Sequence, residues 1–165
     1  MGMQIPVPRQ APPETDKEFT NSDFCVPDNP MAKSLDKFTS LPFMDFSTVK
    51  RIMEAKRKIM AIRENFNELR LALIKVAGES KDGGRTFAIA PTIEGKDKEG
   101  KPTVKDNPKF VEFRDEFNKL CAEKIKWTHP LVVVDEKIYE KTIEKSGEPL
   151  LVDDLILVED IFKIK

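Results

Sequence analysis

A chain of 165 residues with 39% hydrophobic and 35% charged side chains is one domain by length. It is slightly poor in core formers, which suits an elongated fold more than a thick globule. Its formal net charge of −1 excludes a simple basic nucleic-acid binder, and no apolar run is long enough for a membrane helix.

The N-terminal sequence Met1-Gly2-Met3-Gln4-Ile5-Pro6 lacks the basic and apolar regions of a signal peptide, and Pro6 spoils the myristoylation pattern after Gly2. Residues 1–46 carry a net charge of −3 and hold seven of the twelve prolines: Pro6, Pro8, Pro12, Pro13, Pro27, Pro30 and Pro42. Each removes a backbone donor and biases its predecessor to extended geometry. The same stretch holds five of the eleven phenylalanines, Phe19, Phe24, Phe38, Phe43 and Phe46, whereas a solvated tail is normally poor in aromatics. The expectation is an extended arm that buries its rings, either on its own domain or on a partner. Deleting residues 1–46 is then expected to leave a folded domain and abolish its main interaction.

A long helix is expected from residue 47, with Ser47 as N-cap. Ile52, Ala55, Ile59, Ile62, Phe66, Leu69, Leu73 and Val76 occupy the a and d positions of four heptads, and Met53, Met60 and Ile74 broaden the stripe. Gly78 marks its end, with Lys75 in the last turn. Residues 47–78 carry a net charge of +5. The cations of this helix, with Lys50, Arg51, Arg57 and Lys58 foremost, form a row of the kind that phosphate contact needs. Such residues beside a heptad seam are also ordinary solubilising and partner-selecting groups, which is the favoured reading.

Beyond the helix, Lys81-Asp82-Gly83-Gly84 is a turn, and alternation at Phe87, Ile89 and Ile93 predicts a strand demoted to an edge by Pro91. A second turn at Asp97–Pro102 completes a small hairpin. A shorter helix follows over 107–126, capped by Asp106 or Asn107 with Pro108 at its first position. Its apolar face is Phe110, Phe113, Phe117, Leu120, Cys121 and Ile125. At about 1.5 Å per residue it covers only part of the long helix.

Leu131-Val132-Val133-Val134 reads as a buried strand. A helical turn over 136–145 follows. The apolar segments from Leu150 to Phe162 fit a short helix or a strand, with the helix favoured. The carboxylate pairs Asp135/Glu136, Asp153/Asp154 and Glu159/Asp160 read as solvated surface within a segment, 127–165, of net charge −4.

Cys25 and Cys121 lie far apart in sequence and read as buried thiols of a reducing compartment. His129 lacks companions at metal-ligand spacing, Gly83-Gly84 is not followed by the Lys-Ser/Thr of a phosphate loop, and no nucleophile–histidine pairing has supporting context. The sequence therefore predicts no enzyme, no catalytic residue, no metal and no cofactor.

The order of features resembles a group of short proteins encoded by tailed bacteriophages. A basic amphipathic helix runs into a glycine-containing turn ending Glu99-Gly100-Lys101-Pro102. A helix with Phe113-Arg114-Asp115-Glu116-Phe117-Asn118-Lys119-Leu120 follows, then an extended apolar run and Asp153-Asp154-Leu155. The resemblance spans roughly residues 47–165, with 1–46 and 84–98 as additions. It implies a virion structural or assembly protein, capsid-, neck- or tail-associated, located in the virion or in host cytoplasm during assembly. An alternative is a phage-encoded modulator that binds a host protein or nucleic-acid machine. The expected partners are protein subunits of a homo- or hetero-oligomer, with neither membrane nor nucleic acid. The expected contact residues are Phe19, Phe24, Phe38, Phe43, Phe46, Ile52, Ile59 and Phe66.

The expected fold is α+β: an extended arm over 1–46 and a helical-hairpin domain over 47–165. In that domain the long helix packs on a shorter antiparallel one with a small β-hairpin between them, followed by a C-terminal strand and short helix.

Overall fold

The computed structural model describes residues 18–80 and 82–165. Residues 1–17 of the expected arm, and Lys81 of the expected turn, lie outside this range. The described residues form six helices and four two-stranded sheets, an α+β architecture with one long helix.

Residues 18–46 differ from the expected extended arm. Strand β1 (Glu18–Thr20) pairs antiparallel with β6 (Lys124–Lys126), placing Phe19 opposite Ile125. Helix α1 (Asn21–Cys25) begins where the Asp23 carboxylate accepts from the Thr20 backbone N–H at 2.8 Å and its hydroxyl at 3.0 Å. Helix α2 (Pro30–Thr39) begins at Asn29, whose side chain accepts from Met31 N at 2.9 Å, with Pro30 in the first turn. The prolines expected to keep this stretch extended act instead as punctuation. Pro30 sits where a helix needs no backbone donor, while Pro27 and Pro42 fall in the connections.

Helix α3 (Phe46–Ala77) is the expected long helix, entered two residues early. Its N-cap is Asp45 rather than Ser47, because the Asp45 carboxylate accepts from both the backbone N–H and the hydroxyl of Thr48 at 2.8 Å. These bonds, the backbone one foremost, hold the Asp45 carboxyl below its ordinary pKa. Gly78 ends the helix with φ −91°, so the demand there is for space rather than left-handed backbone. A Cβ on Gly78 would lie 2.6 Å from the Ile74 carbonyl oxygen.

Pro91 divides the strand expected over 86–93 into two. Strand β2 (Glu79–Ser80) pairs with β3 (Phe87–Ala88), and β4 (Thr92–Lys96) pairs with β5 (Pro102–Asp106). Asp97 organises the β4–β5 turn by accepting from Glu99 N at 2.9 Å and Lys101 N at 2.8 Å. Asn107 then caps α4 (Pro108–Ala122) and also donates to Ala90 O at 2.7 Å, tying the hairpin base to the helix.

In the C-terminal region the helix and strand readings are both realised, in succession. Strand β7 (Val132–Val134) pairs in parallel with β8 (Phe162–Ile164). Between them lie α5 (Glu136–Ser146), ended by Gly147 at φ +72°, and α6 (Val152–Val158). A parallel pair needs such a helical crossover.

The core forms where α1, α2, the N-terminal half of α3 and the β7–β8 pair converge. Phe38 stacks on Phe162 with ring centroids 4.6 Å apart, and Phe24 stacks on Trp127 at 5.5 Å while meeting Phe19 edge-on at 5.3 Å. Burying each such ring contributes roughly 1.5–3 kcal/mol. Asp154 departs from the solvated-surface reading: it is buried, and accepts from Ser34 Oγ at 2.7 Å and Lys37 Nζ at 2.9 Å, joining α6 to α2. Arg63 of α3 performs a similar service, donating to Phe24 O and to Asp36, each at 2.7 Å.

Candidate docking groove between the long helix and its antiparallel neighbour

The heptad stripe of α3 meets two different environments. Ile52, Ala55 and Ile59 in the N-terminal half are buried by the core elements, and Phe66 is buried at the junction. Past Phe66, α4 runs alongside, antiparallel, with Phe66 and Phe117 at 5.9 Å, and β3 packs near the end of the helix, where Ala88 and Ile89 lie close to Gly78. Leu69 keeps 42% and Val76 88% of its surface exposed, so the last turns of the stripe face outward.

On α4 only Leu120 is buried. Phe110, Phe113 and Phe117 line its length, half-exposed, with Phe113 stacked on Phe117 at 5.8 Å and Phe110 tilted against Phe113 at 6.4 Å. A two-helix layer lets each helix bury one flank of an apolar stripe and leaves the other flank open. The result is a groove of about 560 Å³ with Leu69, Leu73, Val76, Phe113 and Leu120 among its apolar lining residues.

The α4 rim of the groove carries Glu112, Glu116 and Glu123 against Lys109 and Lys119. Lys119 Nζ is bound to Glu116 Oε1 at 2.6 Å, and that hydrogen bond raises the Lys119 ammonium above its ordinary pKa. The rim is therefore acidic on balance.

The sequence-predicted contact residues scatter. Phe19, Phe24, Phe38, Ile52, Ile59 and Phe66 are buried within this chain, so they are not presented to a partner. Their rings and branched chains fill the core because α1 and α2 bring residues 18–46 back onto α3. Phe43 is half-buried against Phe38 at 5.7 Å. Phe46 is 83% exposed at the start of α3, and Met44 beside it is 76% exposed. The cations Lys50, Arg51, Arg57 and Lys58 are all exposed; Arg51 donates to Ser47 O at 3.3 Å and Lys58 to Thr128 Oγ1 at 3.2 Å.

The acidic rim was not singled out from the sequence. Its signal is the polar face Lys109, Glu112, Asp115, Glu116, Lys119 and Glu123 opposite the phenylalanines, which reads equally as an ordinary solvated face. Cys25 and Cys121 are free thiols on α1 and α4. These helices meet where Asn21 donates to Leu120 O at 2.8 Å. Burial pushes the Cys25 thiol up to about 11, Arg63 pulling it down and Cys121 adding a smaller upward push. His129 lies half-buried, its ring centroid 5.9 Å from that of Trp127. Among the described residues no helix is long and apolar enough to cross a membrane. Among those residues, too, no three His, Cys, Asp or Glu side chains gather as a metal-ligand set. Comparison with protein-family models, curated proteins and solved structures finds no match.

Proposed function

We propose that this chain is a non-catalytic structural or assembly protein of a tailed-phage particle, held to neighbouring subunits through the C-terminal half of the α3 stripe and the groove it forms with α4. The observation that supports it is the open apolar groove: Val76, at 88% exposure, continues a stripe whose first half is core. Exposed apolar surface of this kind, rimmed by charge, marks protein contact sites. The phage assignment rests on the layout resemblance. Phe19, Phe24 and Phe38 are no part of this contact surface, since they are buried within the chain.

Mass spectrometry of purified particles tests the assignment. The chain is expected in the particle fraction at a fixed ratio to the major subunits. Absence from the particles, with recovery from infected-cell lysate bound to a host protein or nucleic-acid machine, would favour the modulator reading instead.

A further inference from the structure

Helix α3 carries a second exposed stripe. Phe46, Met53 and Met60 recur every seven residues and keep 83%, 44% and 50% of their surface exposed. Lys50 and Arg57, also seven apart, stand on the same face and are exposed. At about 100° per residue this stripe lies roughly opposite the buried one of Ile52, Ala55 and Ile59. It is an apolar ridge with cations, and the core uses none of it.

The groove matches it. Leu69 and Val76 repeat at the same seven-residue interval, as do Glu116 and Glu123 on its rim. Seven residues of helix are about 10.5 Å, so the ridge methionines and the paired cations meet groove positions of the same period. The signs are complementary: residues 50–58 hold five cations and one acid, and the α4 rim holds three glutamates and two lysines.

We propose that the groove's occupant is a second copy of this chain, contributing the Phe46–Met53–Met60 stripe of its α3. Around the α3 axis the stripe and the groove face point about 150° apart, by the same helical geometry. One neighbour therefore cannot fill both contacts at once. The association is heterologous, head to tail, and builds rings or filaments rather than a closed two-fold dimer. It rests on the reading of the groove as a docking face.

The test is sedimentation of the full chain at low salt over about 10–500 µM, the range in which small interfaces associate. Wild type is expected to form species larger than a dimer, weakened at least about tenfold by high salt. Met53→Asp with Met60→Asp disables the stripe, and Val76→Asp disables the groove. Each variant alone is expected to remain monomeric, while their equimolar mixture forms a one-to-one dimer and nothing larger. Should either variant fail to fold, Lys50→Glu with Arg57→Glu and Glu112→Lys with Glu123→Lys repeat the design. A monomeric wild type at every concentration, or a stripe variant that associates like wild type, overturns the proposal. If wild type is monomeric yet Val76→Asp abolishes entry into particles, only the self-association falls. Self-association by a chain absent from particles would overturn the phage assignment alone.

Discussion

Asp154 shows how one buried carboxylate can hold two helices together. Its hydrogen bond from Ser34, and then that from Lys37, hold the carboxyl below its ordinary pKa, against the opposing effect of burial. A folded-state pKa below the unfolded value means stability that is present above about pH 4 and lost as pH falls through the depressed value. The melting temperature should therefore drop on acidification below about pH 4, with a shallower slope in Asp154→Asn. At neutral pH that substitution should cost on the order of 1–2 kcal/mol, since Lys37 is half-exposed and recovers water. An unchanged acid limb would remove Asp154 from this role. Cys25 gives a second residue-level outcome. With its thiol at about 11, it should resist alkylation at pH 8 in the folded chain and react fully in denaturant. Equal rates in both states would mean that α1 does not bury it. Cys25 is legible in the sequence as a lone thiol, whereas Asp154 is not: it sits beside exposed Asp153, and only the crossover of α6 onto α2 separates them.

Among the elements, α3 was legible because its heptad pattern runs without Pro or Gly, and α4 because Pro108 after two candidate caps, Asp106 and Asn107, marks its start, with Asn107 the observed cap. Residues 18–46 were not. Short helices such as α1 have too few turns to show a period, and the prolines that interrupt extended structure are the same residues that open helices. The parallel β7–β8 pair was hidden for another reason, since its partners are separated by two helices. Two outcomes belong at this scale. Deleting residues 1–46 removes Phe19, Phe24, Leu35 and Phe38 from the core and should abolish cooperative unfolding, the reverse of what an accessory arm allows. A truncated chain with a sharp thermal transition would restore the arm. Gly78→Ala should shorten or loosen the last turn of α3, because its Cβ meets the Ile74 carbonyl oxygen at 2.6 Å. A loss of roughly 1–3 kcal/mol is expected by chemical denaturation, typical of a forced backbone shift.

Across the whole molecule the described residues divide into a packed half and an open half. The core occupies one end of α3, and at the other end α4 accompanies it, with β3 near the last turn and the β4–β5 hairpin tied to the base of α4. The sequence already implied this imbalance, since residues 107–126 are too short to cover the long stripe. It did not reveal that the five-phenylalanine stretch covers the N-terminal half. That exchange moves the candidate contact surface from the aromatic segment to the C-terminal turns of α3 and the glutamate-edged face of α4. Substitution at Val76 isolates this surface, because the side chain is 88% exposed and its replacement by Asp should change stability by no more than about 0.5 kcal/mol. On the proposed virion reading, the most direct measurement is therefore incorporation of wild type and Val76→Asp into purified particles, with their melting temperatures compared in parallel. The account predicts equal melting temperatures and loss of the variant from the particles; equal incorporation of both chains would contradict it.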